Sequence, residues 1–251
     1  MNQITRIVFL VCTLAIGGVA AAASKEENRV ADATDVVDQL LRIPEQSIPP
    51  SLLSRAYGIA VVPNVVKAGF VFGARVGKGV LVVRQPDNTW SNPAFVRMTG
   101  GSIGWQAGVQ STDIILVFKT RRSVDGITKG KFTLGADASV AAGPVGRHTG
   151  LATDIQFEAE VFSYSRSRGL FAGIALEGAG ITIDKRANAA FYASPGISAK
   201  DIFASSGNSA PTVANNFVQL LTAQTRRLPQ QPAMAADSAA PEQSAQPKPK
   251  V

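Results

Sequence analysis

The segment GGSIG, Gly100 to Gly104, has the spacing of a nucleophile elbow, the tight turn that exposes the serine of an α/β-hydrolase. Ser102 would be the nucleophile, and His148, the only histidine, follows it with three aspartates in between, as in that hydrolase class. An elbow must lead into a helix, however, and the residues after Gly104 alternate like a strand. No HGGG-like segment that could form an oxyanion hole precedes Ser102. A serine hydrolase using Ser102 and His148 is therefore only the third function considered, and we expect no catalytic residue.

The stretch GFVFGARVGKGVLVV, Gly69 to Val83, looks like a phosphate-binding loop but lacks its chemistry. Such a loop needs four residues between its first glycine and Gly-Lys-Ser/Thr, whose hydroxyl binds magnesium. Here Gly73 and Gly77 enclose three residues, and Lys78 is followed by Gly79. Glycine inside a strand instead indicates a bend or the close approach of another backbone. We therefore predict that these glycines serve a curved or closed sheet.

Positive charge is concentrated between Lys67 and Lys131, where ten basic residues stand against three acidic ones. The clusters KTRR and KGK flank SVDGIT, which reads as a turn, so we expect a cationic hairpin end that contacts anionic lipid headgroups. The strand YSRSRG is a second expected contact, with Tyr164 at a membrane interface. The expected lipid-binding residues are Lys119, Arg121, Arg122, Lys129, Lys131, Arg166 and Arg168. The alternative is a solvated basic face that only keeps the protein soluble.

Two terminal helices and many strands must position these residues. Residues 24–42 have an apolar helical face, and Pro211 with Thr212 marks the start of a second helix. Between them apolar residues alternate at period two, which predicts antiparallel strands, one of them KFTLGADASVA. The side chains expected in the core are Phe70, Phe72, Val76, Trp105, Phe132 and Leu134. The expected fold class is α+β: a mainly antiparallel, strongly curved or barrel-like β-sheet with N- and C-terminal helices packed on it.

The N-terminal residues have the layout of a secretory signal peptide, with MNQITR, the apolar run IVFLVCTLAIGGV and the small residues Ala20 to Ala23. We expect cleavage after residue 23, one domain over residues 24–227, and a disordered Pro/Gln/Ala-rich tail over residues 228–251. Cys12, the only cysteine, lies in the removed segment without a small residue before it, so we expect no lipid attachment, disulfide, metal site or cofactor. Export to the periplasm or medium argues against nucleic acid as the partner of a chain with net charge +7.

Several segments together resemble the SYLF-domain family, over roughly residues 52–204. They are AYGIAVVPNVVKAGFVFGARVGKGVL, WSNPAF, GGSIGWQAG, GPVGR and SYSRSRGLFAGIALEG, in this order. The resemblance implies lipid binding, since eukaryotic relatives bind phosphoinositide membranes and some bind actin filaments. In those relatives a basic amphipathic helix at the start of the domain takes part, whereas the helix here carries three basic and five acidic residues. We also expect no SH3 or FYVE neighbour, and the sequence resembles the exported bacterial members of the family.

The sequence therefore predicts a non-catalytic protein of the bacterial cell envelope that binds anionic phospholipid or a membrane surface. The alternative is a protein-binding scaffold of the envelope. The apolar groove between helices and sheet is a further place where lipid could bind.

Overall fold

The computed structural model describes residues 25–40, 42, 48–69, 72–103, 108–144, 159–167, 170–174, 176–205 and 210–225. The expected signal peptide and C-terminal tail, His148 and Arg168 lie outside the described residues, as do Phe70 and Trp105. The helices described are α1 (residues 25–40), α2 (Pro50–Ser54), α3 (Arg121–Lys129), α4 (Lys185–Phe191), α5 (Ala199–Ala204) and α6 (Thr212–Thr225). The strands described are β1 (Gly58–Gly69), β2 (Phe72–Val83), β3 (Ala94–Ile103), β4 (Gly108–Phe118), β5 (Phe132–Thr133), β6 (Val140–Ala142), β7 (Val161–Ser167), β8 (Leu170–Gly173) and β9 (Gly180–Ile183).

The strands form one curled sheet in the order β5-β9-β3-β2-β1-β4-β7-β6, with β8 also paired to β7. Every pairing described is antiparallel except that of β6 with β7. The terminal helices α1 and α6 pack on this sheet through Val30, Val37 and Phe217. The predicted α+β fold, with its curved and mainly antiparallel sheet, is confirmed.

Apolar side chains are buried on both faces of the sheet. On the face covered by α1 and α6, which we call the α1 face, Val61, Phe95 and Phe162 belong to one core. On the opposite α3 face, Phe118 and Phe132 belong to a second core together with residues of α3. The central strands are therefore covered on both sides, and their apolar residues run continuously, as in the buried segment 113–118 of β4.

The segment SVDGIT is helical, so the predicted turn and the cationic hairpin end are wrong. It lies within α3, where Thr120 caps the helix by accepting a hydrogen bond from the Ser123 backbone N–H at 3.3 Å. Val124 and Ile127, three residues apart, are buried against the α3 face. Ser, Asp and Gly gave the segment a turn-like composition, but burial of these two side chains stabilises the helix.

The segment KFTLGADASVA is also not one strand. β5 covers only Phe132–Thr133, and a turn at 135–137 follows, in which Gly135 has φ +86°. The Thr133 N–H donates to Asp137 Oδ2 at 2.6 Å, a side-chain bond that closes this turn. Phe132 and Leu134 are buried as predicted, whereas Ala136 is exposed.

Val76 is a second error in the predicted core, because it is 52% exposed. It points to the α1 face beside Lys25, at the start of the described part of α1, where the helix does not cover it. Phe72 lies at the start of β2, and its side chain is outside the described residues.

The glycine prediction is confirmed at Gly79, where β1 approaches too closely for a side chain. A Cβ there would meet the carbonyl oxygen of Val61 and lie 2.7 Å from the Val62 Cα. The cause is a bulge in β1, because five steps along β1 from Val61 to Val66 oppose four steps along β2. Asn64 in this bulge has φ 52°.

Candidate binding surfaces

Ser102 lies within strand β3, paired with Gly73 of β2. A nucleophile elbow requires a sharp turn into a helix, and β3 instead pairs with β2 without a break from Ala94 to Ile103. The segment that resembles a phosphate-binding loop also lies in a strand, since Gly77, Lys78 and Gly79 are inside β2. Neither segment has the geometry of the catalytic or nucleotide site that it resembles.

A search of the described residues finds no group of three possible metal ligands. In the same residues, no helix is long and apolar enough to cross a membrane.

The five predicted cations around α3 form a surface that we call the α3 rim. It consists of Lys119, Arg121, Arg122, Lys129 and Lys131. Arg121 is paired with Asp125 at 3.5 Å, but its side chain is 76% exposed, so water screens the pair. Arg122, Lys129 and Lys131 are exposed and form no ion pair with a described carboxylate.

The α3 rim is wider than the predicted hairpin end. The nine residues of α3 extend about 13 Å at the rise of an α-helix, so Arg122 and Lys129 lie near opposite ends. Lys119 differs from the others, because its Nζ lies 5.6 Å from the ring centroid of Phe162 on the α1 face. The cations are therefore spread over a wider surface, from Phe162 of β7 to Gly180 of β9, against which Lys131 lies.

Arg166 is engaged inside the protein. Its Nε donates to Asp113 Oδ2 at 2.7 Å, and its side chain is 18% exposed. The other carboxylate oxygen, Asp113 Oδ1, accepts the Asn64 N–H of the bulge at 2.9 Å. This buried group links β7, β4 and β1, so the Arg166 guanidinium contributes to the fold.

Tyr164 does not sit at a surface, which corrects the prediction of an interfacial tyrosine. Its side chain is fully buried on the α1 face, and its hydroxyl donates to the Pro144 carbonyl at 3.1 Å. Burial raises the pKa of Tyr164 far above its ordinary value. Gly143 lies against the ring so closely that a side chain there would overlap it.

A charged group fixes the neighbouring part of the α1 face. Arg97 of β3 binds Asp184 at 2.7 Å, and Asp184 also caps α4 by accepting the Ala187 N–H at 3.2 Å. Burial raises the pKa of Asp184, but the bonds from Arg97 and from the Ala187 amide outweigh it and hold that pKa below its ordinary value.

Beside this group, an open cleft of about 550 Å³ lies between α1 and the bulge. Arg29, which lines it, is ion-paired with Glu26 and lies 5.5 Å from the Phe95 ring centroid. Lys25, Lys78 and Asp32 also line this cleft.

Sequence reasoning missed a further surface, which we call the distal end of the sheet. It comprises β1 beyond the bulge and the paired part of β2. Val66 and Val76 are directly opposite each other here and are 42% and 52% exposed. Lys67 and Arg75 are also directly opposite each other, and alternation places both on the α3 face. In the sequence, Gly69 and Gly73 are equally distant from residue 71, as are Lys67 and Arg75. A hairpin turn centred there would have paired Lys67 with Arg75.

These features define a class of protein: an α+β domain with a curled antiparallel sheet and exposed cations at its ends. The chain belongs to the Ysc84 family, which contains the SYLF domain, because residues 99–224 match the family described as "Ysc84: Las17-binding protein actin regulator". The predicted family is thus confirmed.

The chain is also similar to curated relatives. It is 42% identical over 151 residues to LAS seventeen-binding protein 3 of Saccharomyces cerevisiae, which is 59% of this chain and 33% of that protein. It is 39% identical over 160 residues to SH3 domain-containing YSC84-like protein 1 of Xenopus laevis, covering 63% of this chain and 48% of that protein. The chain thus spans between a third and a half of the length of these relatives. The name of the Saccharomyces cerevisiae relative describes a binding protein.

Proposed function

We propose that this protein is a non-catalytic binding protein of the bacterial cell envelope that holds an anionic phospholipid surface through the α3 rim. The observation that carries the proposal is the exposure of Arg122, Lys129 and Lys131 without an ion pair to a described carboxylate. Exposed lysine and arginine side chains contribute roughly 1 kcal/mol each to the free energy of binding near an anionic membrane surface. The envelope location rests on the N-terminal residues, and it predicts that the exported protein begins at Ser24.

The contact should be electrostatic, because α3 has no apolar side chain left to insert into a bilayer. Val124 and Ile127 are already buried in the core of the α3 face. Binding should therefore weaken steeply as salt rises, since charges near a surface are screened over about 10 Å at 0.1 M ionic strength.

Vesicle flotation tests this proposal. The parent protein should float with phosphatidylglycerol vesicles at low salt, and the triple variant Arg122→Gln, Lys129→Gln, Lys131→Gln should lose most of that binding without a change in thermal midpoint. A matched control is Lys185→Gln, Arg186→Gln, which removes two exposed cations of α4. Equal flotation of the triple variant and the control would show that the α3 rim is not the contact.

A second candidate function is a protein-binding scaffold, favoured by the family description as a Las17-binding protein. A parent protein that fails to float with phosphatidylglycerol or cardiolipin vesicles at any salt concentration would favour this function over lipid binding.

A further inference from the structure

Two like charges lie side by side at the distal end of the sheet without a described counterion. Lys67 and Arg75 are direct partners in the β1–β2 pairing, which places their Cβ atoms about 5 Å apart. Such a pair is destabilising unless an anion compensates it. Neither side chain forms an ion pair with a described carboxylate.

The neighbours of this pair on the same face are uncharged. Across the four central strands the pairing forms the row Gly100, Arg75, Lys67 and Gln110. The Gln110 amide adds a group that can donate a hydrogen bond. Two residues nearer the hairpin end, the next row on this face is Ser102, Gly73, Gly69 and Gly108. Three adjacent residues of this row are glycines, which have no side chain beside the two cations.

The site is partly enclosed. Ala179 packs over Gly100, since a Cβ on that glycine would lie 3.2 Å from the Ala179 Cα. Lys67 and Arg75 are both half-buried. Burial lowers the pKa of Arg75, which is the effect of desolvating a cation. A bound anion would remove this cost.

We propose that Lys67 and Arg75 form a binding site for a phosphate group on the glycine-lined part of the α3 face. The arginine fork suits two oxygens of one phosphate, and the lysine adds a point charge from the neighbouring strand. The phosphate belongs either to a lipid headgroup or to a soluble phosphate ester. This site goes beyond the proposed function, because it is separate from the α3 rim. Lys67 is nine residues along β1 from Gly58, which contacts α3, a distance of about 30 Å in an extended strand. The rim residue Lys131 lies nearer, against Gly180 of β9, two strands from Arg75.

The first experiment compares Lys67→Gln with Lys78→Gln. Both variants lose one lysine on the same pair of strands, but Lys78 is on the α1 face. In chloride, Lys67→Gln should be at least as stable to heat as the parent, because it removes repulsion from Arg75. At equal ionic strength, sn-glycerol 3-phosphate should raise the thermal midpoint of the parent and of Lys78→Gln by about 2 °C or more. The midpoint of Lys67→Gln should not move, and Arg75→Gln should behave in the same way.

The second arm identifies the source of the phosphate. If the ligand is a lipid, Lys67→Gln should reduce flotation with phosphatidylglycerol vesicles at least threefold relative to Lys78→Gln, in a background that carries the triple variant of the α3 rim. If the ligand is soluble, only the midpoint shift should respond. The site is refuted if Lys67→Gln and Lys78→Gln respond alike in both arms. Because the α3 rim is altered separately, failure of this site is distinguishable from failure of the proposed function.

Discussion

At Gly79 one missing side chain decides whether two strands can pair. A Cβ would overlap backbone atoms of Val61 and Val62, which cannot move as a flexible side chain can. We expect Gly79→Ala to lower the free energy of unfolding by about 3 kcal/mol or more, at the upper end of overpacking effects. Urea unfolding measures the change. Gly101→Ala in the neighbouring strand is the control, because its Cβ would have no atom within 4 Å, and an equal loss in both variants would contradict the explanation.

Asp184 makes stability depend on pH. Its pKa in the folded protein is held below the ordinary value of 3.8, so its contribution is complete above that value and is lost as the pH falls through the folded pKa. Asp184→Asn keeps the helix cap but loses the charge pair, and it should cost roughly 1 kcal/mol at pH 7, because water screens the half-exposed Arg97.

The difference in free energy of unfolding between the parent and Asp184→Asn should become smaller below about pH 4. Urea midpoints from pH 7 down to pH 3 measure it. A gap that stays constant over this range would mean that the carboxylate charge does not contribute.

Individual buried residues were predictable from the sequence only where a local pattern determined them. Phe132 and Leu134 were predicted correctly, because both belong to a segment in which every second residue is apolar. Val76 has the same pattern but is exposed, because burial depends on how far α1 reaches over the sheet. Tyr164 was expected at a surface, and the contacts that bury it come from residues distant in sequence, such as Pro144.

At the scale of the element, β3 argues against hydrolase chemistry. Ser102 lies within a regular strand, where no turn exposes a nucleophile. Ser102→Ala should therefore fold with an unchanged thermal midpoint, and neither it nor the parent should react with a fluorophosphonate. Labelling of the parent that disappears in the variant would establish the hydrolase.

The bulge of β1 depends on a carboxylate from the next strand. Asp113→Ala would leave the Arg166 guanidinium and the Asn64 N–H without this acceptor. We expect a loss of roughly 3 kcal/mol, as for a broken buried ion pair, in thermal or urea unfolding. Arg166→Gln should cost less, and the double variant should cost less than the sum of the two. Additive losses would show that the two residues act independently.

Helix α3 shows why part of the candidate site escaped prediction. The charge pattern alone predicts the cations of the α3 rim, but the Ser, Asp and Gly of SVDGIT predict a turn where the structure has a helix. Position 126 is a glycine even though it lies within the helix, because a Cβ atom there would lie 2.8 Å from the Phe132 ring. The pairing of Lys67 with Arg75 was missed for a different reason, since it requires the register of a long hairpin.

At the scale of the whole molecule, the C-terminal helix closes the core of the α1 face. Phe217 of α6 is fully buried there, and Trp90 Nε1 donates to Thr225 Oγ1 at 3.1 Å. Phe217→Ala should lower the free energy of unfolding by about 4 kcal/mol, the usual cost of such a cavity. Tryptophan fluorescence during urea unfolding, to which Trp90 contributes, measures the loss.

Val213→Ala, at a half-buried position of the same helix, should cost much less than Phe217→Ala. Equal losses would mean that α6 does not close this core.

The overall class of fold was predictable, because helical and period-two patterns occupy separate parts of the chain. The presence of a core on both faces was not, since alternation alone indicates one covered face.

Burial of the central strands on both faces has a consequence for how the chain is made. Residues 59–62 of β1 form a continuous apolar run, and Gly58 pairs with Phe118 at the far end of β4. At typical synthesis rates of about 5 to 20 residues per second, the ribosome needs roughly 3 to 12 s to produce β4 after β1. During this time β1 can pair with β2, which follows it directly, but its other edge lacks β4, and an unpaired edge of a β-prone segment can pair with other chains. A chaperone that covers this edge of β1 until β4 emerges should therefore raise the yield of native protein.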